Sequence, residues 1–74
     1  MIAELDVVVL TRALPAESLA AGDVGTIVHV YPGARAYEVE FATLTGATIG
    51  VVTLEADAVR PVAEREIAHV RQVA

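Results

Sequence analysis

A turn with two glycines, Gly22-Asp23-Val24-Gly25, stands directly before an apolar run that ends at Pro32-Gly33. Glycine adopts backbone angles that a Cβ atom forbids, and an aspartate side chain accepts hydrogen bonds from nearby backbone N–H groups. Ile27 and Val30 both face a core only if the strand between them is bulged, so we predict a bulge near Val28-His29. We interpret five turn residues as structural and not as part of a ligand site: Gly22, Asp23, Gly25, Pro32 and Gly33.

The composition limits how such a fold can be stabilised. The chain has 74 residues, enough for one small core, and no cysteine for a disulfide or a thiolate metal site. Apolar residues make up 55% of the chain but aromatic residues only 4%, so aliphatic side chains must fill the core. The N-terminus lacks the pattern of a signal peptide, and the longest apolar run, residues 7–10, is too short to cross a membrane. We expect a cytoplasmic protein without a membrane partner.

Apolar side chains alternate with a period of two along most of the chain, which is typical of strands. In residues 36–41, Tyr37, Val39 and Phe41 share one face, and the two glutamates between them share the other. Five strands are predicted in all, at residues 6–11, 26–31, 36–41, 48–54 and 59–62. Pro61 has no backbone N–H, so the last strand should lie at an edge or an end of the sheet.

The segments between the strands complete the predicted architecture. Residues 12–22 form a long loop with a helical turn near residues 16–19, residues 32–35 and 45–46 reverse the chain, and residues 55–58 form one helical turn. This order predicts an all-β fold: a small SH3-like barrel of about five strands with a long first loop, a one-turn helix before the last strand and a short C-terminal tail. We assign residues 1–62 to the barrel and residues 63–74 to the tail, which packs on the barrel or on a partner. The tail pattern fits a helix or a strand.

No group of residues has the composition of a catalytic, metal or cofactor site. The single serine, Ser18, lies in the long loop, where a turn or capping role is the ordinary one. His29 and His69 have no second ligand at a metal-binding spacing. We therefore predict that the protein is not an enzyme, and that it uses no cofactor and no small-molecule substrate.

Acidic residues outnumber basic residues by 10 to 5, and every basic residue is an arginine. The net charge of −5 repels nucleic-acid phosphates and suits a basic protein partner. Glu38 and Glu40 share the solvent side of one strand, while Glu55 and Asp57 are placed to cap N–H groups of the helical turn. All four residues are candidate acidic contacts with a partner.

The strands carry more apolar side chains than one core can take. Residues 7–10 and 49–52 offer apolar side chains to both of their faces, so the second face must be covered by the tail, by the loop or by another chain. We therefore expect a protein partner or self-association. The candidate protein-binding residues are Val7, Val9, Tyr31, Arg35, Ile67 and Val70. A third interpretation, an RNA-associated barrel, would use Arg12, Arg35 and Arg60.

Four segments carry a resemblance to a known family: ELDVVVLTRALP (4–15), AGDVGTIVHVY (21–31), AYEVEF (36–41) and VVTLEADAVRPV (51–62). In this order they resemble a bacterial family catalogued as domain of unknown function 4926, and the likeness extends to REIAHVR (65–71). The resemblance implies a small barrel and no established activity. Families of this kind often lie beside another short gene, which implies a cognate protein partner and, as an alternative function, an acidic antitoxin-like or immunity-like role. The Gly-Asp-x-Gly turn also resembles the KOW-type turn of RNA-binding barrels, but this chain has no lysine.

Overall fold

The computed structural model describes residues 1–73 and contains five strands: β1 (Val7–Leu10), β2 (Val24–Val30), β3 (Ala36–Ala42), β4 (Thr48–Glu55) and β5 (Val59–Pro61). Three single-turn 3-10 helices lie between strands, at Pro15–Glu17, Pro32–Ala34 and Ala56–Ala58, and residues 1–73 contain no α-helix. All strand pairs are antiparallel, and the sheet order is β4-β3-β2-β1-β5. The predicted all-β fold of about five strands is confirmed, and β5 lies at an end of the sheet as predicted from Pro61. The closer comparison with an SH3-like barrel stays a prediction.

One side of the sheet holds the hydrophobic core. The largest fully buried side chains come from the three central strands: Phe41, Leu10, Ile27, Val8 and Val39. Tyr37 is buried with them, as the alternation in residues 36–41 predicts. Leu54 of β4 and Val59 of β5 belong to the same core, although their strands are at opposite ends of the sheet order. The sheet therefore curls around one core, which is aliphatic apart from Phe41 and Tyr37.

The predicted bulge is present in β2. The register between β2 and β3 shifts between Ile27 and His29, so one extra residue is accommodated there. Ile27 is fully buried, and Val30 packs against the core from the same side. The bulge lets both residues face inward, which strict alternation does not allow.

The two glycines of the turn before β2 have different roles. Gly22 has a φ of +94°, a conformation that a residue with a Cβ atom rarely adopts. The expectation of a similar angle at Gly25 is wrong, because Gly25 is not among the residues with positive φ. An added Cβ at Gly25 would lie 2.6 Å from Cγ1 of Val39 and 2.9 Å from Cε1 of Phe41. Gly25 is therefore required by the close packing of β2 against the core side chains of β3.

The tail forms neither the helix nor the strand that its pattern allowed. Residues 62–73 contain no regular element, and Ala74 lies outside the described residues. Ion pairs of Glu66 with Arg60 and of Arg71 with Asp23 connect the tail to the sheet and to the turn before β2. The side chain of Ile67 is 93% exposed. The tail is therefore attached by ion pairs and not by burial of Ile67.

Candidate functional site

The side of the sheet that faces away from the core, here called the outer face, brings apolar and acidic candidates together. The strand registers place Val7 of β1 opposite Thr26 of β2, Thr26 opposite Glu40 of β3, and Glu40 opposite Val51 of β4. Directly opposed residues of antiparallel strands point to the same side. One row therefore crosses four strands with a valine at each end and a carboxylate inside it.

Two neighbouring rows extend this surface. In one row, Glu38 lies opposite His29 of β2 and Thr53 of β4. In the other, Val9 lies opposite Val24 and Arg60. The valines of β1 and the glutamates of β3 were predicted as two separate sets of contacts, and the registers place both sets on one face.

Three valines give the outer face its apolar character: Val7, Val24 and Val51 are 48%, 49% and 54% exposed. Val9 lies on the same side but is only 7% exposed, so its side chain is not accessible to a partner in this arrangement. It lines a groove of about 290 Å³ between the sheet and the tail, together with Val7 and Ile67. The tail therefore covers only one part of the apolar surface.

Glu38 and Glu40 form the acidic part of the outer face. Thr48 Oγ1 donates a hydrogen bond of 2.8 Å to Glu40 Oε2, and the Thr53 hydroxyl is hydrogen-bonded to Glu38. Within residues 1–73, neither glutamate takes part in an ion pair. The threonines orient the two carboxylates and leave their charge uncompensated.

Asp23 and Glu66 hold the tail, and each is paired with an arginine. Arg71 Nε donates to Asp23 Oδ1 at 2.8 Å, and the Arg71 hydrogen bonds are the main cause that lowers the pKa of Asp23. Asp23 Oδ2 also accepts the backbone N–H of Ala20 at 2.8 Å. Arg60 donates to both carboxylate oxygens of Glu66 and lowers the pKa of Glu66 from 4.5 to about 2. The carboxylates therefore hold the tail in their charged form.

Of the remaining acidic candidates, Glu55 lies two residues beyond Thr53 on the outer side of β4, and Asp57 lies in the short helix that follows. Asp57 pairs with Arg12 at 3.0 Å. The capping role expected for Glu55 and Asp57 is wrong, because the short helix at Ala56–Ala58 has no side-chain cap hydrogen bond. Glu55 ends β4 with its side chain exposed. It continues the negative charge of β3 along the end of the sheet.

The candidates of the β2–β3 connection, Tyr31 and Arg35, lie beyond the end of β2. The rings of Tyr31 and His29 meet edge to face with their centroids 4.7 Å apart, and Arg35 lies beside Gly33. Val70 lies in the tail, beside a larger groove of about 610 Å³ between residues 67–73 and the turn from β3 to β4. Tyr31 therefore adjoins the outer face through His29, which lies opposite Glu38, whereas Val70 lies in none of the rows.

The described residues contain no arrangement that points to catalysis. No polar or charged side chain of residues 1–73 is buried, and no three His, Cys, Asp or Glu side chains are grouped as metal ligands. No helix within the described part of the chain is long and apolar enough to span a membrane. The chemistry available on the outer face is apolar contact, hydrogen bonding and negative charge.

Sequence reasoning missed two kinds of residue that shape this surface. Thr48 and Thr53 orient the glutamates. The register shift between Phe41 and Ala42 means that counting from the Ala42–Thr48 pair, next to the turn, does not place Thr53 opposite Glu38. The pairing of Arg71 with Asp23 joins residues 48 positions apart in the chain. No local pattern indicates that contact.

The family model of Domain of unknown function (DUF4926) matches residues 4–61, a span that includes all five strands. The matched span ends before the tail, so REIAHVR (65–71) lies outside it. A search of curated proteins and a search of solved structures each found no match.

Proposed function

The chain belongs to the DUF4926 family, and from that starting point we propose that it is a non-enzymatic, cytoplasmic protein-binding module that uses the outer face of its sheet. The observation that supports the proposal is the row Val7–Thr26–Glu40–Val51, which presents exposed valines on both sides of an uncompensated carboxylate. Exposed apolar side chains gathered on one face of a sheet are typical of a protein interaction surface.

The charges of the chain favour a protein partner over RNA. Of the three arginines that an RNA site would use, Arg12 pairs with Asp57 and Arg60 pairs with Glu66. A phosphate backbone would also approach the carboxylates of Glu38 and Glu40, which repel it. Arg35 alone does not provide the set of positive charges that phosphate binding requires.

A second candidate function is supported by the two uncompensated glutamates. An acidic chain that neutralises a basic protein, as an antitoxin or an immunity protein does, would place Glu38 and Glu40 against arginine or lysine residues of its partner. The two candidates differ in their response to salt. A complex held mainly by charge weakens steeply as the salt concentration rises, while an apolar contact weakens little.

The proposal is tested by producing the chain together with the protein encoded by the adjacent gene and measuring the mass of the purified product in solution. We expect a stable complex that the Thr26→Arg substitution disrupts, because Thr26 lies in the middle of the outer-face row. Leu44→Arg is the matched control, because it adds the same charge away from the row. Leu44 is 85% exposed and lies in the turn after β3. A lone monomer, or a complex that Thr26→Arg leaves intact, would contradict the proposal.

A further inference from the structure

β4 is the longest strand of the sheet and pairs with only one neighbour. It spans eight residues, TIGVVTLE, and lies at the end of the sheet order beside β3. It contains no proline and no charged residue before Glu55, although both are common devices that keep an edge strand from pairing. The register with β3 shifts only near the turn, between Phe41 and Ala42. The rest of the strand is regular.

The hydrogen-bond pattern shows which main-chain groups lie along the free edge. The N–H of Ala56 donates to the carbonyl oxygen of Arg35 at 3.0 Å, so Arg35 and Ala56 form a hydrogen-bonded pair. The next pair along the two strands is Ala36 and Glu55. Since antiparallel pairs alternate between bonded and non-bonded positions, the main-chain groups of Val51 and Thr53 point away from β3. Residues 1–73 provide no main-chain partner for them, because β3 is the only strand beside β4.

The two faces of the sheet determine the chemistry of a strand that would pair there. On the outer face, the hydroxyls of Thr48 and Thr53 draw the carboxylates of Glu40 and Glu38 over β4, toward the free edge. Basic side chains of an added strand would reach those carboxylates. On the core side, Val52 is half-buried and packs against the core, so it requires an apolar neighbour.

We propose that the free edge of β4 binds an extended segment of another protein, in which basic residues alternate with apolar residues, by adding it to the sheet as a further strand. The main-chain groups of Val51 and Thr53 supply the pairing, Glu38 and Glu40 select the basic side chains, and Val52 contacts the apolar ones. This inference rests on the proposed function as a protein-binding module and specifies how the partner is bound.

The charges favour such a segment over a second copy of this chain. Pairing β4 with its own copy would bring two pairs of glutamates, Glu38 and Glu40 from each chain, onto one continuous face. Each chain also carries a net charge of −5. The two β3 strands would be separated by the two β4 strands, so these glutamates would repel one another across the face, whereas a basic segment compensates them.

The test is an NMR titration of the chain with a capped synthetic peptide of four Lys-Val repeats. We expect amide shift changes in residues 48–55, and an affinity that falls about tenfold in the Glu38→Gln/Glu40→Gln double variant at low salt. A peptide of the same composition in two blocks, four lysines followed by four valines, controls for charge alone. A Glu-Val peptide controls for strand pairing without basic residues. Equal binding of either control, or shift changes confined to the tail, would overturn the proposal.

Main-chain pairing is tested separately with Val51→Pro. A proline at residue 51 removes an N–H from the free edge without removing a hydrogen bond to β3, and the preceding Gly50 tolerates it. We expect this variant to lose peptide binding, while Val51→Thr retains it. A Lys-Val peptide with N-methylated valines tests the same point on unmodified protein, and retained binding of that peptide would overturn strand addition.

Two further outcomes separate this inference from the proposed function. A complex with the adjacent-gene protein that persists in Val51→Pro would overturn the edge site and leave protein binding intact. A homodimer in solution that Val51→Pro dissociates would overturn the basic segment in favour of a second copy. Peptide binding without any complex would support the edge site and contradict the proposed partner.

Discussion

The two ends of the sheet differ in how their edges are protected. β5 has three residues, Val59–Pro61, and both Arg60 and Pro61 are residues that discourage strand pairing. The chain then turns at residues 63–66, where Glu66 accepts hydrogen bonds from Arg60 and from the N–H of Ala63. β4 has eight residues and no comparable protection before Glu55.

This difference is informative because both end strands supply a buried side chain to the core. Leu54 and Val59 are each 5% exposed within the same hydrophobic cluster. The inner sides of β4 and β5 are therefore both needed for folding, and only their outward edges differ. The edge of β5 is protected, whereas the edge of β4 is free. The β4 edge is therefore the part of the sheet most available for pairing with another chain.

The largest effect is expected from Leu54→Ala, which removes a core side chain from the unprotected strand. Truncation of a buried leucine costs about 2–5 kcal/mol, a large share of the stability of a domain of this size. Chemical denaturation at fixed pH measures the change. Val51→Ala is the matched control on the outer side of β4, and we expect it to alter the free energy of unfolding by no more than about 0.5 kcal/mol. Similar losses in the two variants would show that β4 is not divided into a core side and a free side.

The next effect separates the centre of the sheet from its edge. Gly25→Ala in β2 places a Cβ 2.6 Å from Val39 and should destabilise the fold by about 1–3 kcal/mol, because overpacking forces the neighbours to move. Gly50→Ala in β4 is the control, since an added Cβ there meets nothing within 4 Å. We expect Gly50→Ala to be neutral or slightly stabilising. Thermal unfolding measures the stability of both variants. Equal destabilisation would contradict the packing role of Gly25.

The elements that could be predicted from sequence are those set by local rules. Alternation in residues 36–41 identified the buried side chains of β3, the spacing of Ile27 and Val30 identified the bulge, and Pro61 identified an end strand. Each of these signals lies within a few residues of the feature that it determines.

The features that could not be predicted depend on contacts between distant residues. Gly25 is required by packing and not by its backbone angle, and the sequence did not indicate this because the side chains it meets, Val39 and Phe41, come from another strand. In the tail, Arg71 contacts Asp23 across the molecule, and the local pattern of residues 63–74 gave no sign of that contact. For the candidate site, the residue types could be predicted, but their common face depends on strand register. Register became known only from the pairing of β1 through β4.

A smaller effect is expected when protection is added to the free edge. Val51→Lys places a charge on β4 and should raise the temperature or concentration at which the protein aggregates, with stability changed by no more than about 0.5 kcal/mol. Val7→Lys is the matched control, because Val7 is similarly exposed but belongs to β1, which is paired on both sides. Light scattering during heating compares the two variants. Equal protection by Val7→Lys would show that net charge, and not the edge, controls aggregation.

The smallest effect concerns the tail that continues from the protected edge. The folded pKa of Glu66 is about 2, below its ordinary 4.5, and that of Asp23 is also lowered, so both carboxylates stabilise the attached tail when they are charged. This contribution is complete above pH 4.5 and is lost as the pH falls toward 2. We expect the backbone amide signals of residues 66–71 to move toward unfolded values over that range while the methyl signals of Leu54 stay unchanged.

Arg71→Gln should produce the same amide shifts near residue 71 at neutral pH, because it removes the partner of Asp23 and leaves the pair of Arg60 and Glu66 in place. The acid transition that remains in this variant then reports Glu66 alone. Simultaneous loss of the Leu54 signal would show that the tail is part of the cooperative fold. In that case the tail could not be detached from β5 without unfolding the domain. The protected edge at β5 and the free edge at β4 could then no longer be compared.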